Sequence, residues 1–210
     1  LWGAVTTAAS NGSVNAMHSS FSPLAGGLAL LNVLLGEIIF GGVGSGLYGM
    51  VTMIVLAVFL AGLMVGRTPE YLGKKIEAYE VRMAAVAVLL PCAAVLLGCA
   101  VSFASAAGRA APGNAGPHAL TEILYAWGSM ANNNGSAFGS LNATGDLYTW
   151  GGALAMLVGR FGVILPVLAL AGSLAAKKTV PPSSGTFPTD GPLFACLLAG
   201  VIVIVAALTY

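Results

Sequence analysis

The chain has 210 residues, of which 58% are hydrophobic and only 7% charged, with a formal net charge of +1. Soluble domains carry about 25% charged residues, and the mean hydropathy here is +0.92. The composition therefore excludes a water-soluble globule, predicts an all-α integral membrane protein, and offers no basic surface for nucleic acid.

In chain order, the first element is a polar run of small residues, 6–15, that holds Asn11, Gly12 and Ser13. It reads as a loop whose preceding half-membrane helix this chain lacks. The chain begins at Leu1 without Met or a signal-peptide pattern. It therefore reads as a piece of a longer polypeptide with further membrane segments before Leu1. Residues 24–65 are too long for one span, which needs about 20 apolar residues. They contain Gly41, Gly42, Gly44 and Gly46 near their middle. Each glycine costs a helix about 1 kcal/mol relative to alanine. The reading is a helix over 24–40 that carries Glu37, a glycine break, and a second helix over 47–65. Irregular backbone at membrane depth survives only where protein or water covers it. The break is thus expected to line a cavity, either as a gating loop or as a fixed kink.

Residues 67–82 form a polar connector with Arg67, Glu70, Lys74, Lys75, Glu77, Glu80 and Arg82. The i,i+4 spacing of Glu70 and Lys74 predicts a short amphipathic helix with a solvated face. Residues 83–107 read as a span containing Pro91. Residues 118–127, with Glu122, are too short to cross and return, and read as a half-membrane helix entering a second polar loop over 129–139. A span over 147–176 follows, interrupted by Arg160 and Pro166, then a loop opened by Lys177 and Lys178, and a last span over 191–210. Basic residues bias cytoplasmic loops, so 67–82 and 177–190 are placed inside and the two polar loops outside. Cys92, Cys99 and Cys196 read as buried thiols rather than a disulfide or metal set. His18 and His118 read as satisfied polar histidines. Trp127, Tyr148, Trp150 and Tyr210 read as an outer aromatic belt.

Asn11, Gly12 and Ser13 recur as Asn134, Gly135 and Ser136, an offset of 123 that also maps Gly36 and Glu37 onto Gly159 and Arg160. Asn-Gly is a common turn dipeptide, and Asn11, Asn134 and Asn142 head formal glycosylation sequons. Two copies at one offset, each followed by an intramembrane charge, favour a pore built from repeats over surface turns. A potassium ion must exchange its hydration shell for a ring of oxygens, which backbone carbonyls supply. Glycine opens the backbone conformations this needs, so carbonyls near Gly12 and Gly135 are the expected K+ ligands, with Asn133 beside them. Charges at the bilayer centre are costly and face the interior or water. Glu37 and Arg160 either pair with each other or act separately, Arg160 opposing leakage below the filter and Glu37 drawing the cation onward.

Residues 6–15, Asn132 to Gly139, the break around Gly41–Gly46, and residues 66–75 resemble the potassium-transporting A subunit of Kdp ATPases. The resemblance runs through the whole chain and covers the C-terminal part of that subunit. It implies K+ channel-like membrane–pore–membrane repeats with re-entrant pore loops. Residues 1–82 would hold the pore loop, the second helix of the third repeat and the connector. Residues 83–178 would form the fourth repeat, and 179–210 a cytoplasmic loop and final helix. It further implies a high-affinity ATP-driven K+ importer in the bacterial cytoplasmic (inner) membrane. Its partners would be an ATP-hydrolysing P-type subunit, small accessory membrane subunits and the lipid bilayer, with K+ as the transported ion and no other cofactor. No phosphate loop, Ser/His/Asp set or paired carboxylates occur, so a catalytic site is expected on another chain. A secondary cation transporter with broken helices and a noncatalytic membrane scaffold are the competing readings.

Overall fold

A bilayer offers backbone groups no partners, so apolar runs fold as helices that satisfy their own N–H and C=O groups. In the computed structural model, which describes residues 1–38, 41–181 and 183–209, this holds throughout. Helices α3 (Ser45–Val65), α4 (Ala78–Ala104) and α7 (Asp146–Ala176) are long and apolar enough to cross a membrane. Around them lie α1 (Trp2–Ala8), α2 (Pro23–Leu34), α5 (Ala106–Ala110), α6 (Pro117–Ala131) and α8 (Pro192–Thr209), with a 3₁₀ turn at His18–Ser20. Helix α6 packs against both α4 and α7, which also pack on each other; α2 packs on α1 and α6, and α3 on α4 and α8. One core joins Val95, Ile123, Trp127 and Ala155. A second joins Val58, Ala84, Leu170 and Phe194. Ala29 and Val33 of α2 meet Tyr125 and Phe138 in a third.

Several expectations need correction. The first loop does follow a helix within this chain, the seven-residue α1. The first long helix stops at Leu34 rather than running to 40. Gly36 follows with φ 77°, the left-handed residue that commonly ends a helix. Glu37, with φ 53°, therefore lies in the break and not inside a helix. Phe40 and Tyr210 fall outside the described residues. The connector is a hairpin instead of an amphipathic helix. Strands β1 (Glu70–Tyr71) and β2 (Lys74–Lys75) pair antiparallel, with Glu70 opposite Lys75. Leu72 and Gly73 turn between them with φ 50° and 71°, the two positive angles that a tight hairpin demands.

Nor is the connector merely solvated. Glu70 accepts a bond from Thr186 Oγ1 at 2.9 Å, Thr68 N–H donates to Gly185 O at 2.9 Å, and Val180 N–H to Gly73 O at 2.8 Å. These bonds lace residues 68–73 to 180–187. At the same end, Glu77 and Glu80 form a reciprocal cap at the start of α4. Glu80 is fully buried and meets Lys177 Nζ at 2.7 Å, while Lys177 also reaches Glu77 at 3.1 Å. Burial disfavours the Lys177 charge, but its bonds to the two carboxylates outweigh this and raise its pKa above the ordinary value.

Aromatic side chains also depart from the expected belt. Trp127 and Tyr148 are buried, their rings 5.7 Å apart, and Trp127 donates to Ser102 Oγ at 2.8 Å. Trp150 is exposed. Cys92 and Cys99 are buried as expected, whereas Cys196 is exposed on α8. His18 is not a satisfied polar residue. It is 1% exposed, its ring packs on Phe21, Tyr125 and Phe138 at 4.8, 5.6 and 5.9 Å, and neither ring nitrogen has a hydrogen-bond partner among the described residues.

Two outcomes are expected. Lys177→Ala strands the buried Glu80 carboxylate and should cost about 3 kcal/mol in denaturant unfolding, most of it recovered by adding Glu80→Gln. Burial holds the His18 pKa below 6.5, so the unfolded chain takes up the proton first. Its contribution to stability is complete above about pH 6.5 and is lost on acidification below it, by at most about 1.4 kcal/mol per pH unit. Thermal unfolding against pH should show that slope, and His18→Phe should flatten it.

Candidate functional site

The two repeated segments share a backbone as well as a sequence. Asn11 N–H donates to Thr6 O at 3.0 Å, and Asn134 N–H to Ser129 O at 2.9 Å. Ser10 and Asn133, equivalent at the same offset, both take left-handed backbone with φ 53° and 58°. Asn11 Oδ1 accepts from Ser13 N–H at 2.8 Å and Asn134 Oδ1 from Ser136 N–H at 3.0 Å. Each loop thus leaves its short helix by the same wide turn and is braced by the same local side-chain bond.

The loops meet at their glycines. A Cβ on Gly12 would lie 3.0 Å from both the Asn134 carbonyl oxygen and the Gly135 carbonyl carbon. Gly135 has φ 94°, and a Cβ there would lie 3.4 Å from Gly12 Cα. The expectation that both glycines serve an unusual backbone angle holds for Gly135. At Gly12 the requirement is close approach, since its φ is not in the left-handed region. Asn11, Gly12, Ser13 and Gly135 are exposed, whereas Asn134 and Ser136 are buried.

Asn134 ties this junction together. Its side-chain amide donates to Thr6 O at 3.1 Å and to Glu37 Oε1 at 2.5 Å, and its Oδ1 also accepts from the Ser136 hydroxyl. Glu37, 5% exposed, is thus bonded directly to a loop rather than standing apart below it. Asn133 Nδ2 points to α7, donating to Met156 O at 3.1 Å, and Asn132 Nδ2 donates to Val33 O at 2.8 Å.

Sequence reasoning missed the hydroxyls behind the loops. Thr6 Oγ1 bonds the carbonyl oxygens of Asn11 and, at 2.7 Å, Ser13. Its equivalent, Ser129 Oγ, accepts from Gly135 N–H at 3.1 Å, and Tyr125 OH meets Ser136 Oγ at 2.6 Å. The signal was present: Thr6 and Ser129 are hydroxyl residues at the repeat offset.

Beneath the loops lies a cavity of about 100 Å3 lined by Ser10, Glu37, Tyr48, Asn132, Asn133 and Arg160, among others. Glu37 and Arg160 share it without pairing: among the described residues the salt bridges are those of Lys177 with Glu77 and Glu80. Arg160 stays within continuous α7 and is exposed. The glycine break borders the same region. Gly41 N–H donates to Ala8 O at 3.0 Å, docking the break on the end of α1. Gly41 and Gly44 are left-handed, at φ 61° and 79°. Gly42 is not left-handed, and Gly46 already belongs to α3.

The family described as "Potassium-transporting ATPase A subunit" matches residues 1–210. Proteins named "Potassium-transporting ATPase potassium-binding subunit" from Methylibium petroleiphilum and Sorangium cellulosum are each 60% identical over 210 residues, and one from Anaeromyxobacter dehalogenans is 61% identical. Each alignment covers 100% of this chain and 36% of the relative. The chain thus spans about a third of the length of these curated relatives. On this whole-length match, the chain belongs to the potassium-transporting ATPase A subunit family.

Proposed function

We propose that this chain is part of the potassium-binding and translocating subunit of a high-affinity, ATP-driven K+ importer. Asn11, Gly12, Ser13, Asn133, Asn134, Gly135 and Ser136 belong to its selectivity filter. The single observation that carries this reading is the meeting of two loops that leave their helices by the same turn, glycine against glycine. Two equivalent loops side by side are what a pore of pseudosymmetric repeats requires. Their carbonyls would replace the water of a K+ ion. Residues 1–82 supply the loop and second helix of one repeat plus a connector, 83–178 the next repeat, and 179–210 a loop and final helix. The importer works in the bacterial cytoplasmic membrane with an ATP-hydrolysing P-type subunit and small accessory membrane subunits.

Below the filter, Arg160 places a positive charge in the cavity and opposes passive flow toward the cytoplasm. Glu37 attracts the cation leaving the filter while holding Asn134 in place. The break at Gly41, Gly42, Gly44 and Gly46 acts as a gating loop. The interrupted α2–α3 pair also favours a second reading, a secondary transporter with broken helices. Uptake that follows a sodium or proton gradient and ignores ATP would select it.

In the intact complex, Gly135→Ala forces a side chain into left-handed backbone, a cost of about 1–2 kcal/mol. Potassium-stimulated ATP hydrolysis should then need about tenfold more K+ for half-activation. Wild-type affinity in that variant, or in Arg160→Ala, would remove the filter or the barrier respectively, and an indifferent Gly135 would suit a scaffold. A Cβ at Gly44 meets nothing within 4 Å, so Gly44→Ala acts through backbone strain alone. Turnover should slow about fivefold with K+ affinity retained. Unaltered turnover would identify the break as a fixed kink.

A further inference from the structure

Glu122 is fully buried near the start of α6 and takes no part in the filter as described above. Its carboxylate is held by donors from two other segments. Gly113 N–H donates to Oε2 at 3.0 Å, Asn114 Nδ2 donates to Oε1, and Ser140 Oγ donates to Oε1 at 2.5 Å. Ser140 continues the chain of bonds. Its hydroxyl lies 2.8 Å from Ser19 Oγ, and its N–H donates to Ser19 Oγ at 3.0 Å. Ser19 follows Ser13 by six residues and Ser140 follows Ser136 by four. The two serines therefore close onto each other where the chain leaves the two loops. Gly113 is seated hard against this point, since a Cβ there would lie 2.6 Å from Ser140 O. Asn142 N–H fixes the neighbouring loop to Ala111 O at 2.8 Å.

We propose that Glu122, Ser140 and Ser19 form an outer clasp that sets the spacing of the two loops, making Glu122 a positioning residue for cation selectivity. The proposal rests on the filter reading above. A buried carboxylate whose bonds all run to other segments has few alternative arrangements, because any donor it loses is not replaced by water. The Ser19–Ser140 pair is reciprocal: each serine oxygen is bonded by the other residue. Glycines 12 and 135 are already in contact, so a shift at the clasp alters the distance between the carbonyls beside them. The clasp thus acts on which ion fits, and not on ATP hydrolysis or on the cavity below.

The test uses the intact complex in lipid vesicles, with K+ and Rb+ as the two probe ions. Ser19→Ala cuts only the link between loops. Glu122→Gln keeps the side chain's size but turns an amide toward a donor. Both should raise the K+ concentration for half-activation about tenfold and narrow the K+ over Rb+ preference, with maximal turnover within about twofold of wild type. Wild-type affinity and preference in both variants would overturn the clasp. So would a Glu122→Ala protein that assembles poorly but whose assembled fraction keeps wild-type selectivity, since that is a folding role alone. Gly135→Ala in the same assay separates the two ideas. If it changes K+ affinity while Ser19→Ala and Glu122→Gln do not, the clasp fails and the filter stands; if it changes nothing, the filter reading itself fails.

Discussion

The contact between Gly12 and the Asn134–Gly135 backbone constrains most of what surrounds it. Two main chains approach this closely only if Gly12 carries no Cβ and if their polar groups are served from elsewhere. Thr6, Ser129 and Asn134 serve the loop main chains, and Tyr125 holds the Ser136 hydroxyl behind them. Their positions in turn fix α1 and α6, the two short helices that deliver the loops. Glu37 adds a buried carboxylate to the same group through Asn134, so that the break after α2 is also tied to the junction.

The sequence made the repeated elements legible, because an identical tripeptide at a fixed offset carries the same Asn-to-Ser bond after the same turn in both copies, although the two glycines differ in backbone angle. The long apolar helices were legible for the same reason that membranes admit few alternatives. What misled was local pattern read without its partners. Glu70 and Lys74 have helical spacing, yet Leu72 and Gly73 turn the chain, and Thr186, more than a hundred residues away, claims the Glu70 carboxylate. Glu37 looked like a charge inside a helix because nothing in its own neighbourhood discloses Asn134. Trp127 and Tyr148 looked like interface anchors from residue type alone, whereas Ser102 supplies the hydrogen bond that lets the indole be buried. Long-range polar bonds are the part of this structure that periodicity cannot report.

The same kind of bond organises the far end of the molecule. Glu80 is buried at the start of α4, where a carboxylate suits the exposed N–H groups of the first turn, but its full burial depends on Lys177 from the end of α7. The hairpin of β1 and β2 is laced to residues 180–187 beside it. Both polar segments that the charge pattern placed on one side of the membrane are therefore physically one layer, which holds the ends of α4 and α7 together.

That layer gives the repeated halves unlike mechanics. At positions related by the offset, Gly159 and Arg160 lie in an unbroken helix whose end is clamped by Lys177, whereas Gly36 and Glu37 lie where α2 has ended and α3 has not begun. Bending α7 would break helical bonds and expose a buried ion pair. Among the described residues, the chain between α2 and α3 is held instead by separate bonds, Asn134 to Glu37 and Gly41 to Ala8. Two copies of one motif end as an interrupted helix pair on one side of the cavity and a continuous helix on the other.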